Sequence, residues 1–254
     1  MERFAHLVFL LSGLILPLHG LCGQEEALRQ PVVRLATYNV HGGLEASAAT
    51  VARFLSGLNL DLLSLQEVPN QEYLETLASG SGLGHFTVMD RFKAILSRVP
   101  LEETQRIPLV TGRGVIRTTA NLRDIPISIY AIHNSWDQPG DRENRQLVDE
   151  ILPLDPNPRK ILLGDFNDEH YSTQNIVLER SLNDAWTDLG VRPGERTTWP
   201  ATGFAGTEGH QLIDLLLYDP AGGMFPVSAS IPKLFPVLSD HRPVVFNLRL
   251  SEPI

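Results

Sequence analysis

One cysteine, Cys22, is the whole thiol inventory of the 254-residue chain, so no intrachain disulfide can form. It falls within the first two dozen residues, and cleavage after Gly23 would leave no thiol at all, which excludes a cysteine nucleophile. Positive charge is scarce as well. Lys plus Arg total 21 against 30 Asp plus Glu, a net charge of −9. The broad cationic footprint of nonspecific nucleic-acid binding is therefore missing, although a local cationic groove or a bound metal can compensate. Long apolar runs are wanting too: Leu7 to Leu18 is far shorter than the roughly 20 residues a spanning helix requires. What is present is ordinary globular material, 43% hydrophobic and 20% charged, which sets aside disorder and fibrous repeats.

Glu2 and Arg3 precede that apolar run, and the small residues Gly20 and Gly23 follow it, the pattern of a secretory signal peptide. Residues 1–23 are expected to be cleaved and the mature chain to be secreted or periplasmic, with no transmembrane segment. Cleavage after Gly20 or Ala27 also fits. A buried first helix suits so short a run less well, and lipid attachment at Cys22 is disfavoured because Leu21 is not small.

After the leader, Val32 to Asn39 reads as a strand, and Ala48, Val51, Ala52, Leu55 and Leu58 recur at helical spacing. Leu62 to Gln66 is a second short strand, followed by a helix around Glu72 to Ala78 that ends at Gly80-Ser81-Gly82. From His85 to His133 the segments are strand-like: Phe86 to Met89, Ala94 to Leu96, Val115 to Leu122 and Ile125 to Ile132, with antiparallel pairing expected. A polar helix over Arg142 to Leu152 precedes the strand Lys160 to Leu163. Leu212 to Tyr218 and Val244 to Leu250 are the last strands, joined by the Pro- and Gly-rich stretch Asp219 to Pro236. This alternation predicts one α/β domain over about residues 30–252, with two packed mixed sheets covered by helices.

Six segments place polar residues at or just beyond the end of an apolar strand: TYNVHGG, LLSLQEV, YAIHNSWD, ILLGDFND, LIDLLLY and SDHRPV. In this order and spacing, over nearly the whole mature chain, they resemble the endonuclease/exonuclease/phosphatase superfamily, the DNase I-like fold, and AILSRVPL resembles another of its strands. The resemblance implies a four-layered α/β/β/α sandwich, magnesium or manganese as cofactor, and a site where the sheet edges meet. It also implies roles. Glu67 would be a hard oxygen ligand of the metal, with Asn39 beside it and Asp240 supporting the metal side. Asp165 would orient or deprotonate the attacking water, and Asn167 would hydrogen-bond the phosphoryl oxygens.

His133 and His241 are the candidate proton handlers, since imidazole titrates near neutral pH, with Asp214 fixing the tautomer of His241. The expected division has Asp165 and His241 activating water while Asn167 and His133 neutralise developing charge. Arg98, Arg113 and Arg145 are the substrate-binding candidates, Arg145-Gln146 standing where family members often carry that pair. Arg91 and Lys93 near Arg98, and Arg117 near Arg113, could share a phosphate pocket or lie in solvent. His41 departs from the abasic-site endonucleases, which carry an acid there.

Taken singly, each residue has a plainer role: Glu67 as a solvated loop acid, Gly-Asp-x-Asn as a turn, Asn39 as a turn cap. Ser239-Asp240-His241 cannot be a nucleophilic triad, because neighbouring extended side chains point to opposite faces. A dinuclear metallophosphatase would want a GNH motif that the chain lacks. The expected activity is metal-assisted in-line hydrolysis of a phosphomonoester or phosphodiester, small or lipid-headgroup in size, by a monomer. A secreted nuclease acting on nucleic acid is the alternative, and a silent binding module on the same fold a more distant one.

Overall fold

The computed structural model describes residues 30–136, 141–201, 211–233 and 236–253; the leader expected at residues 1–23 lies outside them. β1 (Val32–Asn39) leads through a 3-10 turn (His41–Gly43) into α1 (Ala48–Ser56), whose N-terminus is capped by the Ser47 side chain accepting from Thr50 N. β2 (Leu62–Gln66) and α2 (Gln71–Ser81) follow. Asn70 caps the start of α2, and Gly82, at φ 80°, supplies the left-handed turn that ends it. Then come β3 (His85–Phe86), β4 (Ala94–Ser97), β5 (Leu101–Pro108), β6 (Gly114–Leu122) and β7 (Ile125–His133). α3 (Asp141–Gln146) continues as a π-helical turn (Leu147–Ile151) that buries Leu147 and Ile151. The chain finishes with β8 (Lys160–Asp165), β9 (Asn183–Asp184), α4 (Ala185–Asp188), β10 (Asp214–Tyr218), β11 (Met224–Ser230) and β12 (Val244–Leu250). Among the described residues no helix is long and apolar enough to cross a membrane.

The strands form two six-stranded mixed sheets, ordered β11-β12-β1-β2-β4-β3 and β5-β6-β7-β8-β10-β9. Each contains one parallel pair, β1 with β2 and β7 with β8, among antiparallel neighbours. Parallel pairing brings like ends together. Asn39 therefore lies opposite Gln66 in the first sheet, and His133 opposite Asp165 in the second. Antiparallel β10 adds its first residue, Asp214, beside Asp165, and β12 enters beside the end of β1 with Val244 opposite Thr37.

Side-chain alternation builds the layers. Ala36, Tyr38, Leu63 and Leu65 pack on Val51, Leu55, Leu74 and Leu77 of the two helices, while Val33, Leu35 and Leu62 face the second sheet. That inner face becomes polar toward one end: Leu35 gives way to Thr37 and Asn39, and Leu62 to Ser64 and Gln66. The buried groups satisfy one another. Thr37 Oγ1 donates to Gln66 Oε1 at 3.1 Å, Gln66 Nε2 to Ser64 Oγ at 2.9 Å, and Ser64 Oγ to the Leu163 carbonyl of the facing sheet at 2.9 Å.

Three strands go beyond the sequence expectation. β5 and the two-residue β9 are not among the expected strands, LEETQRIP being largely polar, and β11 lies inside the Pro- and Gly-rich stretch expected as a connection. All three are sheet edges, where one side of the ladder is free and a polar or proline-bearing sequence is tolerated. Conversely, the strand expected over Phe86 to Met89 pairs only at His85–Phe86.

The hydroxyl of Ser64 is the link that ties the sheets beneath the polar end. Ser64→Ala should destabilise the protein by about 1–3 kcal/mol, the cost of leaving buried partners unpaired. Urea unfolding checks this, and a change within about 0.5 kcal/mol would show that the relay is dispensable.

Candidate active site

The polar end of the sandwich opens into a cleft of about 850 Å³ lined by residues that include Glu67, Arg113, His133, Asp165, Asn167, Asp240 and His241. Its floor is organised by Asn39, whose Nδ2 donates at 3.0 Å both to Glu67 Oε1 and to Asp165 Oδ2. Asn39 Oδ1 accepts from His41 N, and its carbonyl from Ser239 Oγ at 2.7 Å. Asp165 is buried at the end of β8, its other oxygen accepting from Asn167 N at 2.8 Å. Asn167 in turn donates through Nδ2 to the Asn134 carbonyl. Glu67 and Asn167 both adopt left-handed backbone, φ 55° and 54°. Without glycine this costs about 1–2 kcal/mol at each position, strain of the kind that collects at functional sites.

Two imidazoles flank Asp165. His133 Nε2 stands 3.8 Å from Asp165 Oδ2 and 3.8 Å from Glu67 Oε1, and His241 Nε2 stands 3.7 Å from the same Asp165 oxygen. His241 Nδ1 meets Asp214 Oδ2 at 2.9 Å, so the ring presents Nε2 toward Asp165. Asp214 is itself fixed from behind: Thr198 Oγ1 accepts from Ile213 N and Asp214 N, and Trp186 Nε1 donates to the Asp214 carbonyl.

The two histidines differ in charge. Burial pushes His133 down to about 4 and, with Arg113 and Lys93 nearby, outweighs the pull of Asp165. Burial also works against charge on His241, but Asp214 and Asp165 overcome it and push the imidazole up to about 10. At neutral pH His133 is neutral and His241 is an imidazolium. Lys93, fully buried with no hydrogen-bond partner for Nζ, is depressed to about 8, chiefly by burial.

The donor set suits a hard divalent cation. Glu67, Asp165, Asp214 and Asp240 outnumber the cationic side chains Arg113 and His241, and Glu67 is 37% exposed toward the cleft. Magnesium and manganese favour such oxygen ligands and retain water for a substrate phosphate to displace. Asn39, as oriented, steadies the carboxylates rather than offering its oxygen. Asp240 accepts from Trp199 Nε1 at 3.2 Å and stands 3.6 Å from His41 Nδ1, which also pairs with Glu45 at 2.7 Å. Asp165, Asp214 and His241 also bring ligand atoms within 4.8 Å of one another. Because His241 Nδ1 is already engaged with Asp214, that trio reads better as a hydrogen-bonded relay than as a metal cage.

Two of the three substrate-binding candidates lie elsewhere. Arg98 follows β4, which runs antiparallel to β2, so it sits at the opposite end of that strand from Glu67, donating to the Leu60 carbonyl and Asn59. Arg145 is exposed on α3 and pairs with Asp141. Arg113 alone of the three lines the cleft, 3.5 Å from His133 Nδ1. Arg117, expected near it, is instead absorbed by Asp155, Glu103 and Ser128. Phe92, Trp136, Trp199 and Gln211 also line the cleft and carry no sequence signal, because isolated rim residues obey no periodicity. Glu143, fully buried and accepting from Ser135 N and Oγ, was also missed; its neighbours in sequence are polar and mask it.

The model of the Endonuclease/Exonuclease/phosphatase family matches residues 36–241. Comparison with curated proteins returns no match. Among solved structures, an endonuclease/exonuclease/phosphatase from Beutenbergia cavernae DSM 12333 is 19% identical, with TM-score 0.66 over 88% of this chain and 72% of its own. One from Bacteroides vulgatus is 18% identical, with TM-score 0.71 over 87% of this chain and 100% of its own. D. rerio TDP2 complexed with single strand DNA product is 17% identical, with TM-score 0.71 over 86% of this chain and 99% of its own. At such identities the likeness is one of fold.

The charge state of His241 has a consequence for stability. Its folded pKa, about 10, lies above the ordinary 6.5, so its contribution is complete below about pH 6.5 and is lost as pH rises through about 10. In metal-free protein, the stability difference between wild type and His241→Asn should shrink across that window in thermal melts. A difference that stays flat would mean that His241 is not charged in the folded state.

Proposed function

Since the chain belongs to the Endonuclease/Exonuclease/phosphatase family, we propose that it is a divalent-metal-dependent phosphoester hydrolase whose reaction centre is built on Asp165, His133, His241 and Glu67. The observation that carries the proposal is the position of Asp165, a buried carboxylate held by Asn39 and Asn167 between two imidazoles, one neutral and one charged. Glu67 and Asp240 would hold the metal, which supplies charge neutralisation to a phosphoryl oxygen when bound.

Asp165 accepts the proton of the attacking water. His241, charged and fixed by Asp214, donates from Nε2 to a phosphoryl oxygen, and the Asn167 amide supports the same developing charge. This reverses the division expected from sequence, which gave charge neutralisation to His133 and water activation to His241. Burial makes His133 the poorer cation, and it serves as a neutral hydrogen-bonding partner beside Arg113. Attack is direct, with no covalent intermediate, and positioning with electrostatics supplies the rate.

The substrate favoured is a small or headgroup-sized phosphoester. A net charge of −9 and a cleft whose cations among the described residues are Arg113 and His241 offer little to a duplex, which is bound through several phosphate contacts. A nuclease is the second reading, favoured by the fold shared with D. rerio TDP2 complexed with single strand DNA product.

Hydrolysis of an activated phosphodiester should require magnesium or manganese and stop in chelator; full turnover in EDTA after dialysis would sink the metal-dependent reading. Glu67→Ala should weaken metal dependence most, while Asp165→Asn and His241→Ala should each lower turnover about a hundredfold or more. Wild-type rates in all three would move the site elsewhere. Catalytic efficiency on plasmid DNA should also lie well below that on a small phosphodiester across a salt series at fixed magnesium. Efficient plasmid cleavage that falls steeply with salt, beside negligible small-substrate turnover, would place the protein with the nucleases.

A further inference from the structure

Four large apolar side chains stand exposed on four separate loops at the mouth of the cleft. Leu44 (75% exposed) follows the His41–Gly43 turn and lies against Gly42, a cleft-lining residue. Phe92 (59%) sits on the turn before β4, Val110 (51%) on the turn joining β5 to β6, and Trp136 (76%) beyond the end of β7. Phe92 and Trp136 line the cleft directly, and Arg113 ties the Val110 turn to it. The Phe92 and Val110 turns adjoin, since a Cβ built on Gly112 would meet the Arg91 guanidinium at 3.9 Å.

These loops are held in place. Arg91 and Phe92 take φ 45° and 66°, a conformation few side-chain-bearing residues adopt. It is fixed by Val68 N donating to the Phe92 carbonyl at 2.8 Å and by the reciprocal backbone pair of Asp90 and Lys93. Val110 N donates to Gln146 Oε1 at 2.8 Å, anchoring the turn while its side chain points outward. Anchored backbone that presents Phe92 and Val110 to water, beside an equally exposed Trp136, is not explained by packing among the described residues.

We propose that Leu44, Phe92, Val110 and Trp136 form a docking surface for a zwitterionic phospholipid interface, with the cleft mouth facing the bilayer. The order of polarity matches. In a phospholipid layer the phosphate lies directly above the apolar acyl boundary, and here a polar floor suited to a phosphate is encircled by an apolar rim that would enter that boundary. Trp is suited to the interface because its ring is apolar while its N–H reaches polar groups. Stacking on nucleobases does not account for Leu44 and Val110, which have no π face. The acidic chain also lacks the cations a polyanion or an anionic membrane would attract. The inference goes beyond the phosphoesterase reading, and vesicle binding is measured without turnover, so either can fail while the other stands.

The test uses the full chain with phosphatidylcholine vesicles, in co-sedimentation and in tryptophan fluorescence with brominated phosphatidylcholine as quencher. Wild type should partition onto the vesicles and be quenched, and in a Trp199→Phe background, which removes the other cleft-lining tryptophan, Trp136→Phe should abolish the quenching, since Trp186 is buried in the core. Leu44→Ser combined with Phe92→Ser should weaken partitioning about tenfold or more, the scale set by losing two buried apolar side chains. The leader segment is common to all these proteins, so their difference isolates the rim. Because the altered side chains are exposed, circular dichroism should show the fold retained, and each single substitution serves if the pair does not fold. Equal partitioning of wild type and rim variants, quenching that survives Trp136→Phe in the Trp199→Phe background, or binding only to vesicles carrying cationic lipid would overturn the proposal. So would a single-stranded oligonucleotide that shifts Trp136 emission where vesicles leave it unchanged.

Discussion

The amide of Asn39 joins two carboxylates that originate in different sheets, Glu67 at the end of β2 and Asp165 at the end of β8. Everything else in the cleft depends on that junction being made. Asp165 can stand between two imidazoles only if the sheets are packed in one register, and the packing beneath is fixed by the Thr37–Gln66–Ser64–Leu163 relay. A one-residue slip of β8 against β7 would turn Asp165 to the opposite face. The arrangement of the cleft is therefore a property of how two sheets face each other, not of any local loop.

The same constraint explains the electrostatics. Packing the sheet ends together buries several acids and two histidines in one place, where local dielectric is low and neighbours dominate. His241 receives Asp214 on one nitrogen and approaches Asp165 with the other, so its charge is stabilised despite burial. His133 has Arg113 on one side and a buried lysine near by, so burial wins. Two residues of one type acquire different chemistry from the neighbours the fold gives them.

Much of this was legible in the sequence. The interior strands could be read from β-branched and leucine-rich runs, and the six polar segments at their ends marked Glu67, His133, Asp165, Asn167, Asp214 and His241 as residues the fold could gather. The structure does bring them to one end of the sandwich. What could not be read was of two kinds. Edge strands such as β5 carry no hydrophobic signature because one side of their ladder and most of their side chains meet water. Single side chains were equally opaque. Arg98 looks as eligible as Arg113 until the antiparallel direction of β4 places it at the far end of β2. The partners of Arg117 lie fourteen to thirty-eight residues away, at Glu103 and Asp155, where no local pattern reports them.

The first sheet places β1, the first strand to be synthesised, between β2 and β12, the last. Val32 pairs with Arg249, so that one side of β1 stays open until residues more than two hundred positions downstream have been made. A chain emerging residue by residue thus carries an apolar strand with an unsatisfied edge while all the intervening strands are synthesised. Such long-range closure makes folding slow and leaves the growing chain open to wrong pairing. It also leaves the cleft to be completed last: β12 brings in the segment bearing Asp240 and His241, so a chain cut short before that segment can build most of both sheets yet lack two of the side chains that line the cleft.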